Sequence, residues 1–136
     1  MKSFPLKIVT LDGEFFNGQV VQVSLRSIDG DVSILAGHIP YITAIGMGEC
    51  RIYFEQASEP RRAACMGGIL SVSNDCVRIA ATTFEWAEDI DRERAFAAKK
   101  RAEEEILRKK DKINTSIAEA KLKRALTRIS VADKIK

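Results

Sequence analysis

Glu88-Asp89-Ile90-Asp91-Arg92-Glu93-Arg94-Ala95 divides the chain into two kinds of sequence. Upstream of it, apolar residues alternate and turn dipeptides recur every few residues. Downstream, apolar residues fall three and four apart among alanine, lysine, arginine and glutamate. The octet reads as a hinge between residues 1–84, expected to form a β domain, and residues 85–136, expected to form a pair of helices.

Charge follows the same division. Of 22 basic and 19 acidic residues, 15 and 11 lie in residues 85–136, so the first part is near −1 and the second near +4. This describes a globular body followed by a solvated helical segment able to meet an anionic partner, with most of the charges serving as ordinary salt-bridged helix surface. No apolar run approaches the roughly 18 residues of a membrane span. The start Met1-Lys2-Ser3-Phe4-Pro5 has no signal-peptide core, so a cytoplasmic protein is expected. Cys50, Cys65 and Cys76 lack CxxC spacing and sit in apolar or strand-like runs, which fits reduced, partly buried thiols. With a single histidine besides, no metal site is expected.

Within the first part, residues 7–11, 20–25, 32–35, 41–45, 51–54, 63–66, 69–72 and 77–80 read as short strands. Asp12-Gly13, Asn17-Gly18, Asp29-Gly30 and Asn74-Asp75 read as turns. About eight strands with no helical pattern between them indicate an antiparallel sandwich or barrel. Past the hinge, Ala95, Ala98, Ala102 and Ile106 form one stripe, and Ala118, Leu122, Ala125 and Ile129 a second. Glu104 with Arg108 and Glu105 with Lys109 are i,i+4 pairs, and Arg108-Lys109-Lys110 suits a helix C-terminus. Asn114-Thr115-Ser116 offers N-caps, with Ser116 and Glu119 spaced as a capping box. Two antiparallel helices would bury the stripes against each other, and alanine contacts make that hairpin marginal on its own.

No catalytic constellation emerges. His38 has no nucleophile in a motif context, and phosphate-loop patterns are absent. The informative grouping is cationic: Arg94 and Arg101 share a helix face beside the alanine stripe, while Arg124 and Arg128 are an i,i+4 pair beside the second stripe. Folded antiparallel, the hairpin gathers four guanidinium groups around a polyphosphate.

Ser27-Ile28-Asp29-Gly30-Asp31, the strand after it, Gly37-His38-Ile39-Pro40 and Thr43-Ala44 resemble the central signature of the epsilon subunits of bacterial F-type ATP synthases. Met66-Gly67-Gly68-Ile69-Leu70-Ser71-Val72 and Val77-Arg78-Ile79-Ala80-Ala81 resemble the later strands of that family, and Ile90-Asp91-x-x-Arg94-Ala95 is similar to its Ile/Leu-Asp-x-x-Arg-Ala motif. The match runs in order through essentially the whole chain. Arg26-Ser27 and Met47-Gly48 depart from the residue types expected nearby.

The resemblance implies an N-terminal antiparallel β-sandwich of about ten strands followed by a C-terminal α-helical hairpin. It implies a non-catalytic central-stalk subunit that binds the gamma subunit and rests on the c-ring, peripheral to the cytoplasmic face of the bacterial membrane and attached only through the complex. In members that bind ATP, the hairpin folds around the nucleotide; extended, it reaches the alpha/beta hexamer and inhibits hydrolysis. By position, the implied ATP-binding residues are Glu85, Ile90, Asp91, Arg94, Ala95, Arg101, Arg124 and Arg128, and Asp29, Gly30 and Asp31 stand where the family meets the c-ring. ATP is the implied regulatory ligand, and the sequence leaves the participation of Mg2+ open. The alternatives are the same coupling subunit without functional ATP binding and, from another class, a basic nucleic-acid-binding module. The latter has no aromatic platform on its helices beyond Phe96, so no nucleic acid partner is expected.

Overall fold

The computed structural model describes residues 2–108 and 112–134. The chain forms two compact units, Met1–Trp86 and Ala87–Lys136.

The first unit is one eight-stranded sheet rolled around its own core. Its strands are β1 (Phe4–Thr10), β2 (Gly13–Val20), β3 (Gln22–Ser27), β4 (Gly30–Leu35), β5 (Tyr41–Tyr53), β6 (Arg61–Val72), β7 (Val77–Ala81) and β8 (Phe84–Trp86). They are ordered β2-β1-β7-β6-β5-β3-β4, with β8 also on β6. The pairings are antiparallel except β1 with β7, which is parallel. Every second residue of most strands faces inward, so Leu6, Ile8, Val23, Ile34, Ile52, Leu70 and Ile79 are fully buried in a single cluster. The strand count is close to the expected one, and the sandwich-like sheet followed by two helices is the expected architecture.

β5 and β6 each span two of the strands read from sequence. In β5 the buried positions are Thr43 and Ile45, then Cys50 and Ile52. The phase changes at Gly46-Met47-Gly48, so the paired strands present opposite faces to the core in their two halves. β6 does the same: Ala63 and Cys65 face the core before Gly67-Gly68, Leu70 and Val72 after it. Opposite this bend, the partner strand breaks at Thr82-Thr83. β7 pairs with the second half of β6 and β8 with the first, while Thr82 N donates to Gly67 O (3.1 Å) and Met66 N to Thr83 O (3.0 Å). Gly68 has φ +127°, and an added Cβ would press on the Ala80 carbonyl oxygen and lie 2.8 Å from the Ala81 Cα. Only glycine fits there.

The turn expected at Asn17-Gly18 does not exist. Both residues lie inside β2, opposite Lys7 and Leu6. A Cβ on Gly18 would sit 3.1 Å from the Phe16 ring, so this glycine makes room for an aromatic side chain. The irregularity in this ribbon lies instead at Phe15, the extra residue between Phe16, which pairs with Ile8, and Glu14, which pairs with Val9. The bulge lets two consecutive phenylalanines reach Trp86, with ring centroids 5.7 Å and 6.0 Å away. Phe84 and Phe54 join this cluster, and Arg61 lies over Trp86 at 3.8 Å. Strand β2 thereby meets β8, which it does not pair with, and the sheet closes.

In the second unit, one 3-10 turn, Ala87–Asp89, precedes α1 (Arg92–Arg108) and α2 (Lys112–Asp133). Ion pairs Arg92–Asp133 (2.6 Å) and Glu105–Lys121 (3.9 Å) link the start of α1 to the end of α2 and its end to the middle of α2, so the helices are antiparallel. Ala95, Ala102, Ala118, Ala125, Val131 and Ala132 are buried. The expected cap at Asn114-Thr115-Ser116 falls inside α2, which already begins at Lys112. Lys109 and Lys110, read as C-terminal cations with Lys109 the partner of Glu105, lie outside the described residues, as does the Asn114 side chain. The Glu104–Arg108 pair forms at 3.3 Å.

Replacing Gly68 with alanine is expected to destabilise the sandwich by about 3 kcal/mol through positive-φ strain and backbone collision, read as a lowered urea midpoint. Burial pushes the Cys65 thiol from an ordinary value of 9.0 up to about 12 and raises Cys50 well above that ordinary value. Both thiols hold their protons more tightly folded than unfolded, so their contribution to stability is intact below about pH 9 and is lost as pH rises toward 12. Urea midpoints should therefore fall across that window, and in Cys50→Ala/Cys65→Ala the fall should be smaller.

Candidate functional site

The site is built on the two helices of the second unit. Asp91 precedes α1, and its Oδ1 accepts a hydrogen bond from the Arg94 backbone N–H at 3.0 Å, a helix N-cap that also sets a negative charge at the positive end of the dipole. Ile90 N–H donates to Ala87 O at 3.3 Å, closing the turn that aims the chain into the helix. One residue on, Arg92 meets Asp133 and lies over the Phe96 ring at 5.1 Å, clasping the open end of the hairpin.

Farther along, the helices leave a groove of about 330 Å3 between them. Ala98 and Ala102 form its floor, while Arg101 and Glu105 from α1 and Lys121, Arg124 and Arg128 from α2 form its walls. The positions follow helical spacing: 98, 101, 102 and 105 share one face of α1, and 121, 124 and 128 one face of α2. Ala98 and Ala102 place only methyl groups between the longer side chains of the walls, which leaves the space open. Arg124 and Arg128 are half-buried and Arg101 is exposed. Cations so placed offer several N–H donors to one polyanion, the geometry in which guanidinium groups bind phosphate oxygens.

Of the residues read from sequence, the groove brings together Arg101, Arg124 and Arg128. Arg94, exposed, and Ala95, 4% exposed, lie with Ile90 and Asp91 at the start of α1 and do not line it. Seven residues of helix separate Arg94 from Arg101, a rise of about 10 Å. Glu85 is on β8 of the first unit, opposite Ala64. Glu105 and Lys121 went unremarked in sequence as wall residues; their spacing to Arg101 and Arg124, four and three residues, was the available signal.

In the first unit, Asp29 and Asp31 are exposed at the tip of the β3–β4 hairpin, on either side of Gly30 at φ +126°. Ser27 fixes the turn: its hydroxyl donates to Gly30 O (2.7 Å) and accepts from Asp29 N–H (3.1 Å). Ile28 beside them is 69% exposed. His38, whose Nδ1 lies 2.7 Å from Ile39 O, has its ring tilted against that of Tyr41, with centroids 5.8 Å apart.

Two family patterns match the chain end to end. The beta-sandwich domain of the ATP synthase delta/epsilon chain matches residues 3–87, and the long alpha-helix domain of that chain matches residues 88–133. The ATP synthase epsilon chain of Bacillus velezensis is 41% identical over 132 residues, covering 97% of this chain and 98% of that one. The Caldicellulosiruptor saccharolyticus epsilon chain is 38% identical over 133 residues, covering 98% and 96%. Among solved structures, a chain of the Euglena gracilis mitochondrial ATP synthase OSCP/F1/c-ring assembly has the same fold, with TM-score 0.81 and 20% identity over 92% of this chain and 78% of that one.

Asp91→Ala is expected to cost the helical unit about 1 kcal/mol by removing the cap. The melt followed at 222 nm should move down for alanine and recover with Asp91→Ser; equal melts for all three would show that the cap contributes nothing.

Proposed function

This chain belongs to the ATP synthase delta/epsilon family, and from that premise we propose that it couples the gamma subunit to the c-ring and restrains ATP hydrolysis through a hairpin that responds to ATP. It makes no bonds in the reaction itself; its role is mechanical and regulatory. The observation that carries the nucleotide part is the groove in which Arg101, Arg124, Arg128 and Lys121 converge over an alanine floor.

Alanine contacts hold the helices together weakly, since each methyl removes little apolar area from water. A triphosphate bridging both helices adds charge-assisted hydrogen bonds and stabilises the closed hairpin in proportion to RT ln(1 + [ATP]/Kd). As ATP falls, that term vanishes and the helices are released to reach the alpha/beta hexamer. Ile90 offers an apolar side chain for the purine, and Arg94, Asp91 and Ala95 complete the helical unit's share of the expected set; no residue is assigned to Mg2+.

For the stalk contacts, the outward face of β5 and β6 carries Ile42 (72% exposed) and Ile69 (52% exposed), on neighbouring strands, an apolar strip suited to the gamma subunit. The rigid acidic tip Asp29-Gly30-Asp31, with Ile28 exposed beside it, suits polar loops of the c-ring. Among the described residues no helix is long and apolar enough to cross a membrane, and peripheral attachment at the cytoplasmic face of the bacterial membrane follows from the proposed complex. One observation favours the same coupling role without nucleotide: Arg92–Asp133 already clasps the hairpin.

Calorimetric titration of the full chain with ATP, ADP and GTP separates the two. Saturable ATP binding that Arg101→Ala and Arg124→Ala each weaken about tenfold, with unchanged circular dichroism, supports the sensor; tenfold is the loss of one strong charge-assisted contact. Absence of both heat and thermal shift at millimolar ATP overturns it.

A further inference from the structure

Glu105 and Lys121 stand in the groove without belonging to the nucleotide motif. Their charged ends are 3.9 Å apart, at the outer limit of an ion pair, and the side chains are 39% and 54% exposed. A pair so long and so solvated holds helices together feebly. Its neighbours make it informative. Four cations and one carboxylate line about 330 Å3, leaving a formal excess of three positive charges. Arg124 and Arg128 are one turn apart and repel, as Lys121 and Arg124 do, and the Glu105 carboxylate offsets part of that repulsion.

An anion entering the groove meets this carboxylate as a competitor. A single phosphate reaches one or two of the cations and still feels the Glu105 charge at close range. A chain of phosphates reaches all the cations, along walls spanning about 6 Å of α1 and about 10 Å of α2, and outnumbers the one negative charge. We propose that Glu105 is a built-in competitor for the cations of the groove and that Lys121 is a further phosphate-binding residue, freed from Glu105 when a polyphosphate enters, so that the pair sets how many phosphate groups a ligand must carry. The inference rests on that part of the proposed function which reads the groove as a site for phosphate groups. It adds two residues to that site and makes phosphate number, rather than the base, the property these two sense.

The test is titration of the full chain with inorganic tripolyphosphate, pyrophosphate and orthophosphate, at low and physiological salt, for the native protein, Glu105→Gln, Lys121→Gln and Lys121→Arg. Tripolyphosphate should bind more tightly than pyrophosphate, and orthophosphate least. Glu105→Gln should tighten pyrophosphate about fivefold and narrow its gap to tripolyphosphate. Lys121→Gln should weaken tripolyphosphate about fivefold with a shallower salt dependence, and Lys121→Arg should restore it. A pair that only staples the helices would move both glutamine variants the same way, together with their melts; that result, no change in either, or no tripolyphosphate binding by the native protein overturns the proposal. ATP titrated into the same samples separates the two readings. Tripolyphosphate binding with opposite shifts but no ATP binding sinks the nucleotide sensor and leaves this inference standing. ATP binding that depends on Arg124 and ignores both glutamine variants does the reverse.

Discussion

At Gly68 the backbone of β6 runs against the Ala80 carbonyl with no room for a side chain, and the rest of the sandwich depends on that approach. A flat eight-stranded sheet would expose one face of every strand. Here β5 and β6 twist together at Gly46-Met47-Gly48 and Gly67-Gly68, changing the face they turn inward, and the outer strands are carried round until Phe15 and Phe16 meet Trp86. One core then serves both ends of the sheet. The aromatic cluster is the seal, and the bulge at Phe15 is what brings two adjacent rings into it.

The helical unit is held by a different kind of force. Its buried residues are mostly alanine, its open end carries a cap at Asp91 and a clasp between Arg92 and Asp133, and farther along lies a groove lined by charge. Hydrophobic burial, which holds the sandwich, contributes less to the hairpin. Its ion pairs are largely solvent-exposed, so each adds little and is screened by salt. The division at Trp86 and Ala87 thus separates a unit held by a large apolar core from one held by small side chains, a cap and a few surface ion pairs.

Much of this was legible in the amino-acid order. The change from alternating to helical spacing at Glu88–Ala95 marks where strands give way to helices, and Asp29-Gly30 and Asn74-Asp75 are turns because their backbone chemistry is local. Residues 41–53 and 61–72 were each read as two strands because glycine and a change of phase, the usual marks of a loop, here mark a strand that twists. Asn17-Gly18 was misread as a turn because the reason for that glycine is the ring of Phe16, which a dipeptide rule cannot see. In the hairpin, spacing grouped Arg101 with the arginines of α2, but Arg94, two turns earlier on the same face, lies beyond the groove, since sharing a face does not mean sharing a depth. Glu105 reads in sequence as the i,i+4 partner of Lys109, and the fold sets it across from Lys121 on the other helix, which spacing along one helix cannot show.

The alanine floor of the groove has a consequence for how this protein can change over generations. Larger side chains at Ala98 or Ala102 would knit the helices more firmly, and such substitutions are the easiest route to a sturdier hairpin. They would also fill the cavity that gives the arginines something to surround. Tighter packing and an open groove therefore compete for the same space, and a lineage living at higher temperature would have to strengthen the hairpin elsewhere, at the Arg92–Asp133 clasp or the Asp91 cap, if the groove is to stay open.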